Sequence, residues 1–228
     1  YGAYGRSKAG QSVNQILTAY YANSSVVTRN DLPQNITITT GSGNQTISLE
    51  DDYLKGIGEM PSCWGTPENG GLEALKAQVI AARSYAMAYT NMGASPICTT
   101  QACQVYVGSS KINGACGEYW EQAVDETRGK VVVSGGEIIS ASYASTAGGF
   151  TLSSQEVWGS ARAYAQGVAD LDSQSFPYDG PEHGNSPWYY KAWGNEPWLS
   201  GEQVADLFNA ALMPASHDDH LPAPSNGG

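Results

Sequence analysis

The stretch GLEALKAQVIAARSYAMAYTNMG, residues 71–93, constrains the fold more than any other part of the chain. Leu72, Leu75, Val79, Ala82, Ala86 and Tyr89 recur at steps of three and four, which draws an apolar stripe along a helix. Lys76 and Arg83 fall on another face. Many of the remaining positions are alanine, a strong helix former whose small side chain lets neighbours come close. Such a helix is expected to be central, packed on several sides, and to stop at Gly93.

Shorter signals surround it. Ser12 is a natural N-cap for a helix carrying Val13, Ile16, Leu17 and Tyr20 at helical spacing. NITITTGSGNQTISLE alternates Ile36 and Ile38, turns at GSGN, then alternates Ile47 and Leu49, a hairpin pattern. Asp51 and Asp52 open a short helical turn with Leu54 and Ile57 inward. Val131 to Val133, SGG and EIISASYAS read as a second hairpin. Its second strand runs into STAGGFT, where the adjacent Gly148 and Gly149 call for positive φ or close backbone approach. Near the end, FPYDGPEHGNSPWYYKAWGNEPWLS is rich in Pro, Gly and Trp. Ser200 and Gln203 then form a capping box opening a helix with Val204, Leu207, Phe208 and Leu212 on one face. Helices and hairpins alternate without a regular βαβ pattern, so the expected class is α+β.

Charge excludes several functions. Eleven Lys and Arg stand against 22 Asp and Glu, a formal net charge of −11. No basic stripe exists for nucleic acid and no polybasic patch for a membrane surface. No apolar run approaches the ~20 residues that cross a bilayer. The aromatic residues are 14 Tyr and 6 Trp against 3 Phe, rings with a polar handle suited to sugars and wet surfaces. The cysteines, Cys63, Cys98, Cys103 and Cys116, are even in number and suggest an oxidising compartment, with three pairings open. All three histidines lie in the last quarter, and HDDH at 217–220 precedes LPAPSNGG, a tail that reads as solvated and disordered.

One carboxylate stands apart. In YLKGIGEMPSCWG, Glu59 follows Gly56 and Gly58 and precedes Pro61, which restricts Met60 to extended conformations. Leu54, Ile57, Met60 and Trp64 give it an apolar surround. Desolvation of the charged form there would favour the protonated carboxyl, the state a general acid needs.

These motifs resemble those of the SpoIID/LytB family. YLKGIGEMPSCWGTPENGGLEALKAQVIAARSYAMAYT is similar to that family's YL-GV-GEMP segment and the EALKAQAVAARTYA helix after it. The likeness continues through CTTQACQVYVG, AVDETRGKVVVSGGEIISASYASTAGGFT and VWGSARAYAQGVAD, and the N-terminal YGAYGRSKAGQSVNQILTAYY resembles another family element. It covers most of residues 1–172; the region after 174 matches poorly. The resemblance implies a SpoIID-like fold and a peptidoglycan lytic transglycosylase, a carbon–oxygen lyase that cuts between N-acetylmuramic acid and N-acetylglucosamine, preferably on peptide-stripped strands. It makes Glu59 the catalytic acid. Arg83, Gln104, Tyr106, Ser145, Thr146, Gly148 and Gly149 become candidates for contacting the glycan, Arg83 by anchoring a carboxylate. Lys76 reads as a surface residue.

Some family members bind zinc at C-D-T-T-H-C-Q-V-Y. Here Thr99 and Ala102 replace the Asp and His, and two thiolates alone hold zinc poorly. No metal or other cofactor is therefore expected. The departure implies a Cys98–Cys103 disulfide and hence Cys63–Cys116. The expected domains are a catalytic domain over 1–172, a Trp/Pro-rich extension with a helix packed on it over 173–216, and a disordered tail over 217–228. The expected location is extracytoplasmic. Two rival functions stand beside the first: a non-catalytic wall-binding module that stimulates a cell-wall amidase, and an ordinary hydrolase pairing Glu59 with Asp170 or Asp172.

Overall fold

The computed structural model describes residues 1–188. Tyr1–Ser186 form one compact unit; Pro187–Gly228 group separately. The helix expected after Ser200, the HDDH run and the tail lie outside the described residues.

The first unit is α+β. α1 (Gly2–Lys8) and α2 (Val13–Tyr20) lead into β1 (Ser25–Thr28) and the hairpin β2 (Asn35–Thr40) and β3 (Gly43–Ser48). Tight helical turns over Leu49–Gly56 and Ser62–Gly65 precede α3 (Leu72–Tyr89). Then come β4 (Ile97–Cys98), α4 (Ser110–Asn113), α5 (Gly117–Asp125), β5 (Lys130–Ser134), β6 (Glu137–Ile138) and α6 (Ser154–Trp158). One sheet has the order β1-β5-β6 and is antiparallel; the other has the order β3-β2-β4, with β2 and β4 parallel.

Local chemistry accounts for the elements. The Ser12 side chain accepts from Gln15 N while the Gln15 side chain reaches back to the Ser12 backbone, which fixes the start of α2. Ile36 faces Ile47 across the first hairpin, putting both on one face. Ser48 caps the next turn by accepting from Asp51 N, and Leu54 and Ile57 are fully buried. The second hairpin is shorter than its pattern implied, with ladder pairs only at Val133–Ile138 and Ser134–Glu137. Beyond Ile139 the chain leaves the ladder to line a cleft.

α3 divides the core. Leu75, Val79, Ala82 and Ala86 enter a cluster with Ile36, Ile38, Leu49, Leu54 and Trp120. Ala77, Ile80 and Ala81 enter another with Ile16, Leu17, Val132 and Ile139. Each fully buried Leu, Ile or Val contributes about 1.5–3 kcal/mol of transfer free energy. The helix ends at Tyr89, and Asn91, Met92 and Gly93 follow with φ of 51°, 57° and 83°, a left-handed run that glycine closes without strain.

α1, α5 and α6 carry no expectation from the sequence pattern. α5 buries Trp120, Ala123 and Val124, and Trp120 Nε1 donates to Leu54 O at 3.0 Å. α1 is held by residues distant in sequence. Arg6 Nε pairs with Asp170 at 2.8 Å, and its guanidinium lies 5.0 Å from the Tyr20 ring and 4.3 Å from the Tyr178 ring. Residues 170–183 are thus tied onto α1 and belong to the first compact unit.

Candidate active site

Glu59 is set by a small antiparallel clasp. Gly58 N donates to Val105 O at 2.8 Å and Val107 N to Gly56 O at 2.8 Å, with Ile57 bridged to Tyr106. The clasp turns Val105 N onto the half-buried carboxylate, donating to Glu59 Oε1 at 2.7 Å. Proximity requires glycine at 56 and leaves tight space at 58. A Cβ on Gly56 would sit 2.3 Å from Tyr106 Cε2, and one on Gly58 3.0 Å from Val107 Cγ1.

Two disulfides bracket the clasp. Cys98–Cys103 closes the turn just before Gln104, and Cys63–Cys116 ties the segment after Glu59 to the start of α5. A third tie is polar: Lys111 Nζ donates to Met60 O and lies 4.5 Å from the Trp120 ring. Burial pushes the Lys111 ammonium down to about 8.

Beneath the clasp, Tyr53 OH donates to Gln104 Oε1 at 2.7 Å, and Gln104 Nε2 donates to Tyr143 OH at 2.9 Å and Ala82 O at 3.3 Å. Burial raises both phenols far above their ordinary value. The Glu59 charge is the next cause for Tyr143 and a lesser one for Tyr53. Both tyrosines therefore keep their protons at neutral pH.

Beside this constellation runs a cleft of about 870 Å³, lined by Met60 and Tyr143 on the Glu59 side. One face of α3 contributes Ala77, Gln78, Ala81, Tyr85 and Tyr89. Residues 140–166 supply the wall that carries Ser145, Thr146, Phe150, Trp158 and Arg162.

The structure divides the residues singled out from the sequence. Glu59, Gln104 and Tyr106 come together; Tyr106 is half-buried and stacks on Tyr53 at 5.8 Å. Gln104 is fully buried, so its part is to orient the two tyrosines, a correction to a direct sugar contact. Ser145 and Thr146 line the cleft, and Thr146 Oγ1 meets Ser186 Oγ. The amide of Gly148 is spent on Asp179 Oδ2 at 2.8 Å, and Gly149 packs against Leu171 and Pro177, so neither lines the cleft.

Arg83 needs the larger correction. It is fully buried, fork-bonded to Glu50 at 2.8 and 2.6 Å, and donates to Lys130 O at 2.9 Å. Its guanidinium closes the core and does not line the cleft. Asp170 and Asp172 are likewise engaged. Asp170 is fully buried against Arg6 and the Tyr20 hydroxyl, and Asp172 pairs with His183 at 2.8 Å. Tyr53, Tyr143, Lys111 and Gln78 escaped the sequence reading. Only the alternation of SASYAS pointed toward Tyr143.

Comparison with known proteins covers the same region of the chain. Residues 42–133, which hold Glu59, its clasp and α3, match the family described as Stage II sporulation protein, SpoIID. The amidase enhancer of Bacillus subtilis (strain 168) is 42% identical over 113 residues, 49% of this chain and 14% of that protein. Stage II sporulation protein D of the same organism is 30% identical over 146 residues, 57% of this chain and 40% of that protein. An uncharacterized protein of Brachyspira hyodysenteriae (strain ATCC 49526 / WA1) is 38% identical over 124 residues, 52% of this chain and 31% of that protein. Over these residues the chain is similar to the SpoIID family, and its matched regions span 14%, 31% and 40% of the length of the amidase enhancer, the Brachyspira protein and the sporulation protein.

Proposed function

We propose that this chain acts on the bacterial cell wall as a lytic transglycosylase, cutting peptidoglycan glycan between N-acetylmuramic acid and N-acetylglucosamine. The observation that carries the reading is the solitary character of Glu59. It stands beside a cleft whose one lining carboxylate among the described residues, Asp170, is already neutralised by Arg6 and Tyr20.

A hydrolase needs two carboxyl groups, one of them to activate water or to attack. A lytic transglycosylase needs one. The Glu59 carboxyl protonates the leaving glycosidic oxygen. The resulting carboxylate then takes the proton of the muramic acid C6 hydroxyl as that oxygen bonds to the anomeric carbon. The products are a new 4-hydroxyl end and a 1,6-anhydro ring, with no water consumed. Val105 N–H steadies one carboxylate oxygen, and the protonated Tyr143 offers a neutral donor close by.

The test is digestion of purified, peptide-stripped glycan strands by wild type and Glu59→Gln, with mass analysis of the ends. Wild type should release anhydro ends. Glu59→Gln should lose the release by about 10²–10⁴-fold, the usual weight of a general acid, with an unchanged melting temperature. Reducing ends in place of anhydro ends would mark an ordinary hydrolase.

The likeness to an amidase enhancer favours a second reading, a wall-binding module that stimulates a cell-wall amidase without cleaving glycan. Under it, Glu59→Gln would still bind strands and stimulate an amidase as well as wild type does. Either activity places the protein outside the cytoplasmic membrane, where its substrate is.

A further inference from the structure

The cleft is far less acidic than the chain that forms it. Among the described residues, Asp170 is the one Asp or Glu that lines it. That charge is cancelled by Arg6 at 2.8 Å and by the Tyr20 hydroxyl at 2.9 Å. The remaining charged side chain among the described lining residues is Arg162.

Arg162 differs from the other described cations. Arg6, Arg29, Lys55, Lys76, Arg83 and Arg128 are each paired with a carboxylate. Lys8 and Lys111 donate to backbone carbonyls, and Lys130 acts on the charge of Glu126. Arg162 is held by its backbone instead: its N–H donates to Ser154 Oγ at 2.8 Å, and its carbonyl accepts from Gln166 Nε2 at 2.8 Å. Among the described residues its guanidinium has no partner. The backbone is fixed while the fork is free.

A second group on the same lining also lacks a partner. Gln78, on the cleft face of α3, is 6% exposed, and its Nε2 has no acceptor among the described residues. Leaving a buried donor unmatched is costly, so an N–H pair in this position is set for an oxygen that arrives with a ligand.

Building on the proposed function, we infer that Arg162 is the specificity-determining residue that reads the free lactyl carboxylate of peptide-stripped muramic acid, with Gln78 donating to an uncharged oxygen of the same glycan. The chemistry is selective. On a stripped strand, every muramic acid carries a carboxylate that a guanidinium can grip through two parallel hydrogen bonds. On a peptide-bearing strand that carboxylate has become an amide, which offers no charge. A chitin oligosaccharide has no lactyl group at all. The role assigned from sequence to Arg83 thus passes to an arginine that the cleft exposes.

The experiment measures binding by calorimetry in the Glu59→Gln background, so that cleavage does not interfere. The ligands are length-matched stripped strands, peptide-bearing strands and chitin oligosaccharides. Stripped strands should bind about ten-fold tighter than the other two, with the advantage shrinking as salt rises. Arg162→Gln should erase that advantage and leave chitin affinity unchanged, while Arg162→Lys keeps part of it. Gln78→Leu should weaken all three ligands several-fold and preserve their ratio. If strands bind and Arg162→Gln keeps the ratio, the inference about Arg162 is overturned and the lytic reading stands. If strands bind with the expected ratio and the wild type releases no anhydro ends, the lytic reading fails and Arg162 keeps its role. Absence of any glycan binding removes both.

Discussion

On the Glu59 side of the cleft, each segment is tied to another. The 56–59 strand is laddered to 105–107, two disulfides flank it, Lys111 holds Met60 O, and the Tyr53–Gln104–Tyr143 chain lies below. On the other side, residues 150–166 rest on a few backbone bonds and the Ser153–Glu156 capping box of a five-residue helix. That side leaves Phe150, Leu152 and Trp158 62%, 68% and 65% exposed. The contrast fits a division of labour. The proposed lysis would need a proton delivered at one place, which favours a rigid seat for Glu59. Recognition of a long polymer tolerates and uses an apolar, adjustable surface.

Breaking the first wall should have the largest effect after loss of Glu59 itself. Cys63 and Cys116 lie 53 positions apart, and the loop entropy lost on cross-linking corresponds to about 4 kcal/mol. Cys63→Ala/Cys116→Ala should lower stability by that order in denaturant titration and abolish lysis. The short Cys98–Cys103 loop, with a separation of 5, should matter less to stability, about 2 kcal/mol, yet should still impair activity because it precedes Gln104.

Lys111 sharpens the comparison, because it separates placement from stability. Its pKa is lowered from 10.5 to about 8. Between those values the unfolded chain holds a proton that the folded protein has released, so this group favours the folded state increasingly as pH rises through the window. Below pH 8 its buried charge works against folding. Lys111→Met should therefore leave the melting temperature at pH 7 equal or higher and remove that rise between pH 8 and 10. Freeing the Met60 carbonyl should still cut lysis about ten-fold. Equal activity in the variant would show that the Glu59 seat does not need this tie.

The smallest stability effect belongs to the facing wall. Phe150→Ala and Trp158→Ala should each change stability by no more than about 0.5 kcal/mol, as exposed substitutions usually do. Each should weaken glycan binding several-fold while leaving the anhydro character of the products intact. A loss of fold in either would erase the contrast between the walls.

Much of the fold was legible where periodicity is long. α3 and the β2–β3 hairpin follow from their repeats, and Ser12 announced the start of α2. α6 is too short for a period; its Ser153–Glu156 pair was the available signal. For the site, the glycines before Glu59 were visible, but their reason was not, because Tyr106, whose ring covers Gly56, lies far along the chain. The arginines teach the same lesson. Arg83 and Arg162 carry the same chemistry. Which one is sealed away depends on Glu50, 33 positions from Arg83, and no local pattern encodes that pairing.

α3 has one flank sunk in the interior and another forming the cleft floor at Ala77, Gln78 and Ala81. The keel of the molecule is also its workbench. Under the proposed glycan reading, widening or narrowing the cleft means recutting the same beam that supports the whole frame, so new ligand preferences should arise more readily by altering the outlying wall than by altering this helix.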